Sequence, residues 1–240
     1  MRRKKTVICI GAVILLVLIL GAVWLIAHRT AYRVAPLTTE QLQKNGADTA
    51  EKLMIVAHPD DDVIWGGGHL SEGGYFVVCV TNGRNKTRKA EFEQMLTASN
   101  NHGIILEYPD KVLWLRDDWK QVREQISADL SLILGYHDWD LIVTHNADGE
   151  YGHQHHIMTH EIVTDIYKAQ SNGNASPLYY FGKYYPKDKI ESAAASLTPI
   201  SPQQLSEKER LEKIYVSQKN TVAMFSHMNS FEMWEKYESA

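Results

Sequence analysis

Residues 53–62 read LMIVAHPDDD: four apolar residues, then an alanine, a histidine, a proline and three consecutive carboxylates. A short apolar run that stops on a polar turn is what a buried strand looks like where it delivers its end to a loop. Outward from it, apolar runs and helical patterns alternate along the chain. Tyr75–Thr81 reads as a second strand, Lys111–Leu115 as a third, Asp140–Thr144 as a fourth and Leu178–Phe181 as a fifth. Between them, Gly67–Glu72, Lys86–Asn101, Asp118–Leu134 and His156–Gln170 read as helices, the second with Phe92, Met95 and Leu96 at helical spacing. Strands separated by helices require right-handed crossovers, so the expected fold is α/β: a Rossmann-like, mostly parallel sheet with helices on both faces. Ligands of such sheets bind beyond the carboxyl ends of the strands. The two most polar stretches fall there: AHPDDD (57–62) after the first strand and THNADGEYGHQHH (144–156) after the fourth.

The N-terminus has a different character. MRRKK is followed by an uninterrupted apolar run from Val7 to Ala27. Its length corresponds to about 31 Å of helix, enough for a bilayer core, and exceeds the apolar region of a cleaved signal peptide. The sequence therefore predicts one uncleaved transmembrane anchor at 7–27 after a basic cytoplasmic tail at 1–6, a stalk at 28–50 and a catalytic domain at 51–240. Arg2, Arg3, Lys4 and Lys5 outnumber Arg29 and Arg33 across the span, which predicts a single-pass cell-membrane protein with an extracytoplasmic domain. Setting those six basic residues aside leaves 19 basic against 29 acidic residues in the rest of the chain. Nucleic acid and other polyanions are poor partners for so acidic a domain. The two cysteines, Cys9 in the apolar run and Cys79 in the second strand, leave no disulfide outside the membrane. In the tail, Ser206–Glu209 matches a capping box opening a helix to about Lys219, and the Met- and Phe-rich end reads as packing.

The polar stretches carry the chemistry. His58 and Asp61 share one tight turn stiffened by Pro59, a spacing at which an imidazole and a carboxylate can converge on one ion. The second stretch holds four of the eleven histidines, and His153-x-x-His156 puts two imidazoles on one helix face. Two imidazoles and a carboxylate without cysteine suit Zn²⁺ in an open catalytic site, with Fe²⁺ as the chemical alternative.

AHPDDD resembles the AHPDDE signature of the PIG-L/LmbE-like N-acetylglucosaminyl deacetylase family, and HNADGEYGHQHHI resembles its second motif, often HNPDGEYGHPDHI. TNGRN resembles the segment after the family's second strand, and Arg88-Lys-Ala-Glu91 its R-x-x-E. The resemblance covers roughly residues 52–185. It implies that His58, Asp61 and His156 hold zinc, that Asp60 is the general base, and that His153 stabilises the oxyanion or protonates the amine. It further implies that Tyr151 helps polarise the acetyl carbonyl and that Arg88 binds sugar, with Asp117 or Asp118 as the acidic substrate ligand. Two positions depart from the pattern. Asp62 replaces a glutamate, and His155 stands where the family has an aspartate expected to raise the basicity of His153, so a shifted pH optimum or lower rate is expected.

The expected function is that of a membrane-anchored, zinc-dependent deacetylase acting on a GlcNAc-containing glycan or glycolipid. The alternative is a noncatalytic, extracytoplasmic sugar-binding module that retains the fold.

Overall fold

The computed structural model describes residues 2–170 and 176–238, with side chains from residue 14 onward. The expected basic tail therefore lies outside the described side chains. Helix α1 (Arg2–Ala31) opens the chain, and its segment Ile14–Ala31 has mean hydropathy 2.0 with none of it buried. By length and composition it can cross a membrane. A short helix α2 (Thr39–Lys44) follows, closed by a capping box between Thr38 and Gln41. The segment expected to be a stalk instead packs into the domain, because Leu37, Leu42, Ala47 and Ala50 are all buried in its core.

From there the chain runs β1 (Lys52–Val56), α3 (Asp61–Leu70), β2 (Tyr75–Thr81), α4 (Lys86–Ala98) and β3 (His102–Tyr108). A small hairpin of β4 (Lys111–Val112) and β5 (Leu115–Arg116) precedes α5 (Arg123–Leu134) and β6 (Leu141–Thr144). Then come α6 (Gly149–Gly152), α7 (Gln154–Gln170), β7 (Leu178–Phe181), α8 (Ile190–Ala193), α9 (Pro202–Glu212), α10 (Lys219–Phe225) and β8 (Trp234–Lys236). The main sheet has the order β3-β2-β1-β6-β7-β8, parallel throughout except for antiparallel β8 at the edge.

Three sequence expectations need correction. The third strand is His102–Tyr108, whereas Lys111–Leu115 falls in the hairpin. Its weak alternation, with Gly103 packed on the Val77 carbonyl, hides it from a periodicity reading. The helix expected from Asp118 begins at Arg123, since Asp117 and Asp118 hold a turn through their bonds to the N–H groups of Trp119 and Lys120. The last long helix starts at Ser201, whose hydroxyl and Gln204 form the capping box, with Pro202 at the first helical position; it ends at Glu212.

Both faces of the sheet are covered, which is why its central strands are apolar except at their ends, at Lys52, Thr81 and Thr144. Leu53 and Ile55 of β1 face one cluster with Phe76, Val78, Ile142 and residues of α5 and α7. Met54 and Val56 face the other with Val77, Cys79, Val143 and residues of α3 and α4. Strand β1 has β2 on one side and β6 on the other, so the crossovers leave it in opposite directions and open a crevice at the carboxyl ends of β1 and β6.

Candidate active site

The two polar stretches flank that crevice. AHPDDD follows β1, and His145 to His156 follows β6, so Asp61 and His156 come within 3.2 Å of each other across it. The turn after Pro59 places Asp60 at φ 133°, a conformation that costs a non-glycine residue ~1–3 kcal/mol and persists where surroundings hold it. Here they do. Arg88 of α4 donates through Nη2 to the Pro59 carbonyl at 2.5 Å and to Asp60 Oδ1 at 3.0 Å. Asp61 begins α3 and accepts from the His58 backbone N–H at 2.8 Å. Asp62 points away from the crevice and accepts from the buried Tyr215 hydroxyl at 2.6 Å.

Hydrogen-bond accounting fixes the state of each imidazole. His155 Nε2 lies 2.8 Å from the Asp117 carbonyl, which can only accept, so this nitrogen carries the proton and Nδ1 is a lone pair. That lone pair sits 3.1 Å from His58 Nε2, which must then donate, leaving His58 Nδ1 unprotonated and 3.1 Å from Asp61 Oδ2. Burial lowers the pKa of both rings, His155 to about 4, and keeps them neutral. On the other side, His156 Nδ1 donates to Glu150 Oε2 at 2.5 Å, so in the neutral ring its Nε2 faces Asp61 as a lone pair. His156 Nε2 is buried without an aligned hydrogen-bond partner.

His58 Nδ1 and His156 Nε2 thus lie 3.1 and 3.2 Å from the same carboxylate oxygen, Asp61 Oδ2. Such a cluster is satisfied only by positive charge among its members. Either His156 takes a proton, burial lowering its pKa but the Asp61 carboxylate 3.2 Å away and the hydrogen bond to Glu150 together outweighing that and raising it to about 10, or a metal cation takes that place. The donor set of two nitrogens and one oxygen fits a metal of the zinc type.

Other nearby groupings of potential ligands are weaker. His145 lies 3.6 Å from Asp61, yet its Nε2 accepts from the Ala57 N–H at 3.0 Å and its Nδ1 donates to Glu150. His155 has its lone pair occupied by His58. His153 lies edge-on to His58, with ring centroids 4.7 Å apart. The Arg116 guanidinium approaches its Nδ1 at 3.2 Å, so His153 holds its proton on Nε2; burial and the neighbouring His156 and His58 lower its pKa to about 2.

The sequence profile of the family described as PIG-L: GlcNAc-PI de-N-acetylase matches residues 53–167, which contain every one of these groups. This segment is PIG-L-like. The chain is 29% identical over 194 residues to an uncharacterized protein of Acanthamoeba polyphaga mimivirus, covering 74% of this chain and 80% of that one. Its fold resembles that of a deacetylase from the teicoplanin biosynthesis pathway, with a TM-score of 0.57 at 17% identity, covering 74% of this chain and 90% of the other. It also resembles N,N'-diacetylchitobiose deacetylase from Pyrococcus horikoshii, with a TM-score of 0.52 at 16% identity, covering 85% and 94%.

Other positions in the PIG-L domain lie where the sequence did not place them. Asp117 is engaged by the Trp119 N–H and the Tyr32 hydroxyl, and Asp118 sits on an exposed turn paired with Lys120. The acid beside the histidines is Asp110, after the true third strand. Its Oδ1 is buried without a hydrogen-bond partner, 3.6 Å from His58 Nε2. It lines a pocket of about 580 Å³ together with Arg88, Asn82 and Tyr108. His155 acts on His58 rather than on His153, and its ring stacks on Trp119 at 4.3 Å. Tyr151 is part-exposed and packs against Phe225 at 4.8 Å and against His156 at 5.6 Å.

Glu150 was missed although it lies within the second motif. It accepts from His145, His156 and the Asn146 N–H; burial raises its pKa, but the two histidines together outweigh that and hold its carboxyl at about 2. The flanking Gly149 and Gly152, both at positive φ, were the available signal that the loop turns a carboxylate inward.

Proposed function

We propose that this protein is a membrane-anchored, zinc-dependent deacetylase that hydrolyses the N-acetyl group of a GlcNAc-containing glycoconjugate. The observation that supports this reading is that His58 Nδ1 and His156 Nε2 lie 3.1 and 3.2 Å from Asp61 Oδ2, next to a carboxylate held in place by Arg88. His58, Asp61 and His156 would hold the metal, which when bound supplies Lewis acidity and a water acidic enough to ionise near neutral pH.

The remaining work belongs to the chain. Asp60 accepts the proton of the attacking water. Burial and the charge of Asp61 raise its pKa, which makes it a stronger base than an ordinary aspartate, while Arg88 occupies only its Oδ1. His153, neutral with its proton on Nε2, is suited to donate a hydrogen bond to the developing oxyanion. Tyr151 lies beside it to assist at the acetyl carbonyl. Asp110 and Arg88 face the adjoining pocket as sugar ligands.

The membrane part rests on α1, apolar over Ile14–Ala31 and unburied, with the basic residues before it setting the cytoplasmic side. The test uses full-length protein in detergent micelles, assayed for metal content and for acetate release from GlcNAc, GlcNAc-lipid and peptidoglycan fragments. Acetate release that Asp60→Ala abolishes without loss of metal supports the reading. Full metal loading with no acetate from any of the three would overturn it in favour of the binding module.

A further inference from the structure

The β4–β5 hairpin has features that catalysis does not use. Lys111 pairs with Arg116 and Val112 with Leu115, so Leu113 and Trp114 form a two-residue turn at its tip. Both take positive φ, 49° and 68°, where hairpins normally place Asn-Gly. Bulky side chains are strained there. The tip is also the most exposed apolar point of the domain: Trp114 is 89% and Leu115 75% exposed. Strain and exposure together in two adjacent apolar residues are unfavourable in water and mark a contact surface.

What covers this surface follows from its neighbour. The outer end of α1 is docked beside it. Arg84 donates to the carbonyls of Thr30 and Arg33 at 2.5 Å each, Tyr32 bonds Asp117, and Gln121 meets His28 at 3.1 Å. Ala31, the last residue of α1, and Lys111, the first of β4, line the same pocket as Asp110 and Arg88. Two residues of strand place the tip about 7 Å beyond Lys111. The headgroup layer of one leaflet is roughly 5–8 Å deep, comparable to that reach. Lys111 at the base of the hairpin and Arg29 near the end of α1 are exposed and carry positive charge, and tryptophan favours this depth.

We propose that the 111–116 hairpin is a second membrane contact. Leu113, Trp114 and Leu115 enter the lipid headgroup layer beside the anchor and hold the mouth of the catalytic pocket against the bilayer surface. The inference rests on reading α1 as a membrane anchor, and it adds that the pocket receives substrate at the membrane plane.

The test places a nitroxide label at one introduced cysteine in the full chain. Cys9 is replaced by serine, the buried Cys79 is left in place, and the protein is reconstituted into phospholipid nanodiscs. Accessibility to O₂ and to an aqueous nickel chelate is compared for Leu18→Cys, Leu115→Cys and the exposed control Val216→Cys. Labels at 18 and 115 should favour O₂, and the label at 216 the nickel chelate. A lipid-facing label at 18 with position 115 as aqueous as 216 overturns the hairpin contact and leaves the anchor standing. A label at 115 shielded from both reagents reports a protein partner and also overturns it. An aqueous label at 18 removes the anchor, and the inference with it. In the Leu113→Asn/Trp114→Gly background the melting temperature should rise while the label at 115 becomes aqueous. A lower melting temperature contradicts the strain on which the proposal depends.

Discussion

Replacing Glu150 with glutamine tests the construction of the site at its least obvious point. One oxygen, Oε2, accepts from His156 Nδ1 at 2.5 Å and from His145 Nδ1 at 3.0 Å, while Oε1 accepts from the Asn146 N–H at 3.0 Å. Glutamine keeps the shape but offers a single acceptor oxygen. If that oxygen stays with the histidines, the amide group meets the Asn146 N–H, donor against donor, and the unmet buried group costs ~1–3 kcal/mol of stability. The negative charge that orients His156 and sharpens its basicity is lost in either orientation. Loss of such an outer carboxylate weakens metal binding by roughly 10–100-fold, or ~1.4–2.7 kcal/mol. The assay is competition for zinc with a chromophoric chelator, run on the full chain in micelles, followed by acetate release at saturating zinc. The expected result is weaker affinity with most activity regained once zinc saturates. A lowered melting temperature with unchanged zinc affinity would show that Glu150 merely supports the loop, and would refute the assignment of His156 Nε2 as a ligand.

Three further outcomes are expected. Asp60→Asn should lower acetate release by at least a hundredfold with zinc content unchanged, measured on the same preparation; parallel loss of zinc would make Asp60 a ligand instead. His155→Asp should shift the pH–rate profile, because a carboxylate would replace the neutral acceptor 3.1 Å from His58 Nε2, and should destabilise the domain slightly through the lost bond to the Asp117 carbonyl; an unaltered profile would remove the link to His58. Glu232 is paired with Lys208 at 2.8 Å in a fully buried bridge. Burial raises its pKa, but Lys208 and His69 outweigh that and hold it at about 2 against an ordinary 4.5. Between those values the unfolded chain binds more protons, so this contribution to stability is complete above pH 4.5 and is lost as pH falls toward 2. Glu232→Gln should flatten that slope in urea unfolding and cost ~3–5 kcal/mol at pH 7 by leaving Lys208 unpaired; an undiminished acid slope would assign it to other carboxylates.

Legibility followed the range of the interactions. His58, Asp60, Asp61, His153 and His156 sit in two contiguous motifs, so their types and spacings could be read directly, and the apolar runs of β1, β2 and β6 were visible because both faces of each strand are buried. Asp110 was displaced in the reading along with the strand before it, since β3 alternates weakly and the next apolar run belongs to a two-residue-stranded hairpin. The segment around Leu42 read as a polar stalk because only a few residues in it are apolar. Their burial depends on a surface formed by α5 and the sheet, which no local pattern reveals.

By itself the sequence determined an apolar N-terminal helix, an α/β alternation and two motifs rich in metal-ligand side chains, because helix length, strand burial and residue chemistry are properties of short stretches. Only the tertiary structure decided how those ligands are armed. The strand order places β6 beside β1 and so sets His156 against Asp61. Contacts from the Asp117 carbonyl and from Glu150 then determine which imidazole nitrogens remain free to face Asp61. Proton positions depend on partners as many as 97 residues apart in the chain, as His58 and His155 are, and a hydrogen bond acts through space rather than along sequence.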